Sequence, residues 1–185
     1  PLATMIAYDL QSGSYVNYAK NNKELEKIWG LQLASLISPF LPENGTILEV
    51  GVGEATTLSS LINALGNNNS RFLGFDLSWS RIKIANNWLL ENSNKAELFV
   101  GDIFNIPLAD NSVDIVYSSH SLEPNGGSEA LLIKECYRVA RKAVVLVEPI
   151  YELASYEAQK RMDQHGYIKG LYEIAKNMNC SIEEY

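Results

Sequence analysis

The chain has 185 residues, 46% of them hydrophobic and 20% charged, which suits one globular domain with a sizeable core. A net charge of −7 and a pI near 4.9 oppose a nucleic-acid surface, because phosphate neutralisation by Lys and Arg supplies most of that affinity. Cys136 and Cys180 have neither metal spacing nor the density of a disulfide framework, and no apolar run has the length of a membrane span or the form of a signal peptide, so a cytoplasmic protein is expected.

Residues 1–22 carry Tyr8, Tyr15 and Tyr18 among Gly, Ser and Asn without a clear period. They read either as a mobile arm over a site or as a loosely packed terminus. The start at Pro1 suggests a trimmed or partial sequence, and the only low-complexity tract is Asn67-Asn68-Asn69. From Lys23 to Ser38, Leu25, Ile28, Trp29, Leu33, Leu36 and Ile37 form one helical stripe, with Asn21 or Asn22 as N-cap and Pro39 as the stop. Trp29 is expected in the core.

Thr46–Val50 is a short apolar run that reads as a buried strand, and Gly51 and Gly53 follow at once. Leu58, Leu61, Ile62 and Leu65 then recur at helical spacing, with Gly66 as C-cap. Strand, glycine turn and helix make the opening unit of a nucleotide-binding α/β domain, or an ordinary βα connection. Glu49 and Glu54 flank the turn with no Lys or Arg nearby in sequence, a poor setting for pyrophosphate and a reasonable one for a cationic nucleoside.

Arg71–Phe75 is a second strand closed by Asp76, which lies 23 residues past Gly53, close to the roughly 20-residue spacing at which an acid meets ribose hydroxyls. Its other reading is a helix cap. Ser78 or Ser80 caps the next helix, which buries Ile82, Ala85 and Leu89. Glu97–Val100 is the third strand, ended by Gly101-Asp102, and Val113–Tyr117 is the fourth. His120 follows, either a general base working near neutral pH or a hydrogen-bonded structural histidine. Ser128 caps a helix carrying Leu131, Leu132, Glu135 and Val139, and Ala143–Val147 is the fifth strand, closed by Glu148. Residues 152–178 read as helix broken at His165-Gly166, and Ser181–Tyr185 as the start of a sixth strand.

The run Ile47-Leu48-Glu49-Val50-Gly51-Val52-Gly53 resembles the first motif of class I S-adenosylmethionine-dependent methyltransferases, with Ala55 where many members have a third glycine. Phe75-Asp76-Leu77-Ser78 is similar to their second motif. The order Ile106-Pro107-Leu108…Asp110-Asn111-Ser112-Val113-Asp114-Ile115-Val116 resembles the linker into strand four of the type 11-like domain. The resemblance covers residues 45–150, within a domain spanning 23–185 behind an arm or lid of residues 1–22. It implies a doubly wound, mostly parallel Rossmann-like sheet with helices on both faces, truncated here before the final antiparallel strand.

For the site, the resemblance implies a crevice built by Glu49, Gly51 and Gly53. There Asp76 holds both ribose hydroxyls, Leu77 packs on adenine, Asp102 meets the adenine amino group and the Ile103 backbone reads a ring nitrogen. Ser119 and His120 touch the methionine portion and open the acceptor pocket. The implied activity is in-line methyl transfer to an unidentified, small-molecule acceptor, with S-adenosylhomocysteine as product and His120 as the candidate base. No metal ligation is evident, neither nucleic acid nor membrane is an expected partner, and oligomeric state is unreadable. Two alternatives share these residues: an NAD(P)-dependent oxidoreductase, and a non-catalytic S-adenosylmethionine-binding module.

Overall fold

A computed structural model describes residue 6, residues 8–66 and residues 69–183. Among the described residues, helices α1 (Ser14–Asn21) and α2 (Lys23–Ile37) precede the strands β1 (Thr46–Val50), β2 (Arg71–Asp76), β3 (Glu97–Val100), β4 (Val113–Ser119) and β5 (Ala140–Val147). Helices α3 (Thr56–Leu65), α4 (Trp79–Glu91) and α5 (Glu129–Val139) connect them, and α6 (Tyr156–His165) and α7 (Leu171–Asn177) follow β5. The sheet is entirely parallel, in the order β3-β2-β1-β4-β5. Strand order therefore reverses between β1 and β4, where ligands enter open α/β sheets outside the strand C-termini.

Alternate residues of β1 serve opposite faces, as the period of a strand requires. Ile47 packs with Leu33 and Ile37 of α2, Leu58 and Leu61 of α3, and Ile82 of α4. Leu48 and Val50 pack with Leu132, Cys136 and Val139 of α5 and with Ile168. Each such fully buried aliphatic side chain stabilises the fold by roughly 1.5–3 kcal/mol, so both helical layers bear on the strand that carries the glycine turn. Gly30 lets α2 approach α3 closely: a Cβ there would stand 2.4 Å from the Ser60 carbonyl oxygen.

Several expectations change. Helix α2 buries Gly30, Leu33, Ala34 and Ile37, while Leu25 and Ile28 are half exposed. Trp29 is only partly buried and stands outside the core, with its ring facing that of His120. On α5 the buried face runs through Leu132, Ile133, Cys136 and Val139, leaving Leu131 outside. Strands β4 and β5 are longer than their apolar runs. The basic cluster at the end of α5 is structural: Arg138 bonds Glu135, Asp110 and the carbonyls of Ile106 and Leu108, and Arg141 pairs with Asp114 at 2.6 Å. Residues 181–183 form no strand, while Glu184 and Tyr185 of the expected sixth strand, like Asn67 and Asn68, lie outside the described residues. Among the described residues no helix is long and apolar enough to cross a membrane.

Candidate functional site

The C-terminal ends of four strands bring Glu49, Asp76, Ser119 and Glu148 toward one edge, and the 101–103 turn after β3 adds Asp102 and Ile103. Between β1 and α3 the backbone is left-handed at Gly51 (φ 66°), Gly53 (φ 54°) and Ala55 (φ 58°). Ala55 thus holds the conformation of the glycine it replaces, at the strain an L-residue pays there. Gly51 admits no side chain, since a Cβ would lie 2.4 Å from Ser121 Cβ; the Ser121 hydroxyl donates to the Val50 carbonyl at 2.7 Å.

Asp76 is the hub of this turn. Its carboxylate accepts from the Gly53 amide at 2.9 Å and the Ser78 amide at 2.8 Å, tying β2 to the glycine turn and to the start of α4. Asp76 is not the helix cap, since it bonds the amide of the cap residue Ser78 rather than a helical amide, and each of its carboxylate oxygens keeps a further lone pair for a ligand. Ser78 is the N-cap of α4. Asp102 is exposed, with one oxygen accepting from the Phe104 amide, and Leu77, Ile103 and Ser119 are partly exposed around the same edge.

Glu49 lies beneath the turn. It is 2% exposed and accepts from the Tyr117 hydroxyl at 2.7 Å. Burial, only partly offset by that bond, pushes its carboxyl up to about 8, so at neutral pH it is a largely protonated acid. Glu54 is also engaged: its two oxygens accept from the Gly13 and Val16 amides, both at 2.7 Å, and so cap α1 from a distance in sequence. Neither glutamate is the open anion that the linear sequence suggested.

The reading that no cation stands near the turn is overturned. Arg81, in the first turn of α4, lies over Gly53, its guanidinium carbon 3.6 Å from where a Gly53 Cβ would be and its Nη1 3.9 Å from Asp76. Tyr8 and Tyr15 stack on the guanidinium, with ring centres at 4.6 and 4.8 Å. Arg81 is 6% exposed and its Nε has no hydrogen-bond partner among the described residues. Asp9 bonds Ser78 beside it. Residues 8–16 therefore cover Asp76 and the glycine turn, while surface hollows at residues 20–25 and 110–144 lie elsewhere.

After β4 the chain turns at His120, a left-handed non-glycine residue (φ 54°) whose amide donates to the Val147 carbonyl. Its Nδ1 lies 2.5 Å from Glu123, and its ring centre 6.0 Å from that of Trp29. The bond to Glu123 holds the imidazole above its ordinary range, opposed by partial burial and assisted by Glu148. Glu148 accepts from the Ser121 and Leu122 amides, and burial pushes its own carboxyl up. His165 lies against Tyr167 with the rings tilted at 39° and their centres 5.6 Å apart.

Arg81, Tyr117 and Ser121 join the site beyond the residues singled out from sequence, while Glu123, which the sequence offers as a pocket-shaping residue, bonds His120. Arg81 had a signal, being four positions before Ala85 on the buried stripe of α4. Tyr117 reads as one more apolar strand residue, and Ser121 carries no pattern at all.

An adenosyl cofactor fits these residues chemically. Asp76 and Asp102 accept only, as ribose hydroxyl and adenine amino donors require, and Gly51 and Gly53 leave the turn without side chains. Arg81 Nε is a buried polar atom at this edge without a hydrogen-bond partner among the described residues, and Ser118 and Glu148 lie against one another at the same edge.

The family described as Methyltransferase domain matches residues 47–143. Among solved structures, a candidate methyltransferase from Bacillus halodurans C-125 aligns with a TM-score of 0.67 at 20% identity, over 83% of this chain and 70% of that one. A candidate sarcosine dimethylglycine methyltransferase from Galdieria sulphuraria gives 0.66 at 17%, over 85% and 62%. A SAM-dependent methyltransferase from Aquifex aeolicus gives 0.54 at 20%, over 71% and 77%. At these identities the likeness carries the fold. No curated protein matches the sequence closely enough to count as a relative.

Proposed function

The chain belongs to the Methyltransferase domain family, the class I S-adenosylmethionine-dependent methyltransferases, and on that premise we propose that it moves the cofactor's methyl group in line to a small-molecule acceptor. The observation that carries this reading is Asp76: one carboxylate at the end of β2 bound to both the Gly53 and Ser78 amides, tying β2 to the glycine turn that leaves β1 beside the reversal of strand order.

In this reading Asp76 receives the ribose hydroxyls, Leu77 packs on the adenine, and Asp102 with the Ile103 backbone reads its edge. Gly51 and Gly53 admit the cofactor to the backbone, Ser119 meets its amino-acid portion, and Glu49 supports the turn from beneath. The cofactor supplies a methyl carbon already activated by the sulfonium. What the protein adds is alignment and exclusion of water, and well-oriented reactants gain roughly 7–11 kcal/mol in favourable cases. His120 receives the acceptor's proton. The arm of residues 1–22 acts as a lid, held at Tyr8 and Tyr15 by Arg81 and at Gly13 and Val16 by Glu54, and lifts to admit the cofactor.

Acidic composition supports a small acceptor over nucleic acid. Arg81 beside Asp76 is a cation that an anionic dinucleotide would also meet, which makes NAD the informative comparator. Calorimetric titration with S-adenosylhomocysteine and with NAD separates the two: binding of the first alone is expected, and binding of NAD alone would overturn the assignment.

A further inference from the structure

Resting on the methyltransferase reading above, we propose that Glu123 is a positioning residue that fixes His120 as the Nδ1–H tautomer, leaving Nε2 as the base for an acceptor whose attacking atom carries a proton, an O–H or N–H nucleophile.

Four observations converge on this pair. His120 sits at the C-terminal end of β4, beside the reversal of strand order, in a left-handed conformation that side chains other than glycine rarely adopt. Such strain persists where surrounding structure holds it, and the hydrogen bond that the His120 amide donates to the Val147 carbonyl does so here. Its Nδ1 is 2.5 Å from Glu123 Oε1, and a carboxylate is an acceptor only, so at neutral imidazole the proton lies on Nδ1. Nε2 has no hydrogen-bond partner among the described residues, and the ring is about half exposed.

The fold also holds Glu123 itself in place. Its side chain is 18% exposed, and its carbonyl accepts from the Ile168 amide at 3.0 Å. Gly126 docks on Gly166, its amide donating to the Gly166 carbonyl, and a Cβ at Gly126 would stand 2.4 Å from that same oxygen. Between these two contacts Tyr167 faces Glu123, its hydroxyl held above the ordinary range by burial and by that carboxylate. The groups that set the charge around the imidazole are thus Glu123 from its own loop, Glu148 from the end of β5, and Tyr167 acting through Glu123, with Tyr15 and Arg161 beside Tyr167. Trp29 of α2 supplies the uncharged wall.

As the acceptor atom forms its bond to the methyl carbon, the carbon–sulfur bond breaks with its electron pair staying on sulfur, and the acceptor's proton passes to His120 Nε2. Glu123 stabilises the imidazolium that results. An acceptor without a proton on its attacking atom would gain nothing from this arrangement.

The chain has two histidines, so His165→Asn leaves His120 as the one imidazole to follow by nitrogen-15 and carbon-13 NMR. With Glu123 intact, Nδ1 is expected to carry the proton in the neutral ring. In Glu123→Gln the His120 pKa is expected to fall, while S-adenosylhomocysteine binds both proteins within about twofold of one another. An Nε2–H tautomer in the parent, or identical His120 titrations in the two proteins, would overturn the proposal. Loss of S-adenosylhomocysteine binding in both, with the tautomer as expected, would sink the cofactor reading and leave the pair standing.

Discussion

The Tyr117 hydroxyl donates to Glu49 at 2.7 Å beneath the glycine turn, joining β4 to β1 where the cofactor crevice opens. An acid buried this way is stable only while protonated, and that makes the turn sensitive to pH. The folded carboxyl titrates at about 8, against an ordinary 4.5. Between those values the unfolded chain has lost a proton that the folded chain keeps, so stability falls as pH rises across the window and is greatest below it.

Glu49→Gln keeps an oxygen for Tyr117 and removes the titration. The variant is expected to gain stability over the parent near pH 8, on the order of 3 kcal/mol, with little difference near pH 5. Urea midpoints at the two pH values check this. A parent protein whose stability does not decline between them would show that Glu49 is ionised in the fold.

The clasp on the N-terminal segment predicts a separate behaviour. Glu54→Ala leaves the Gly13 and Val16 amides without their shared acceptor, and losing such a helix cap costs about 1 kcal/mol, within a range of roughly 0.5–2. Limited proteolysis before residue 22 should accelerate, and S-adenosylhomocysteine should associate faster. Unchanged proteolysis would mean that the cap does not hold the lid.

The turn itself predicts different outcomes at two positions four residues apart. Gly51→Ala adds both left-handed strain and a collision with Ser121, together costing roughly 2–4 kcal/mol. Ala55→Gly relieves strain but gives up a buried methyl and adds freedom to the unfolded chain, so it should remain within about 1 kcal/mol of the parent. Thermal unfolding of the two variants decides the matter.

Much of this architecture is legible in the sequence because strands and glycine turns leave short, local signals. All five strands and the Asp76 and Asp102 positions follow from apolar runs ended by polar residues. The charge around the turn is not local. Glu54 meets α1 and Arg81 meets Gly53 only after the chain has wrapped, so counting Lys and Arg near the glycines gave the wrong electrostatic picture. Leu25 and Ile28 mislead for a related reason: their spacing is helical, yet α2 rotates toward α3 on Gly30 and leaves them outside.

The most direct test is calorimetric titration of S-adenosylhomocysteine into the parent protein, Asp76→Asn and Glu97→Gln, the last changing an exposed pair with Arg71 away from the crevice. Parent and Glu97→Gln should bind alike and Asp76→Asn at least about tenfold more weakly, as expected when a buried hydrogen bond to a charged group is lost. No binding by the parent, or equal binding by Asp76→Asn, would contradict a cofactor site organised around Asp76.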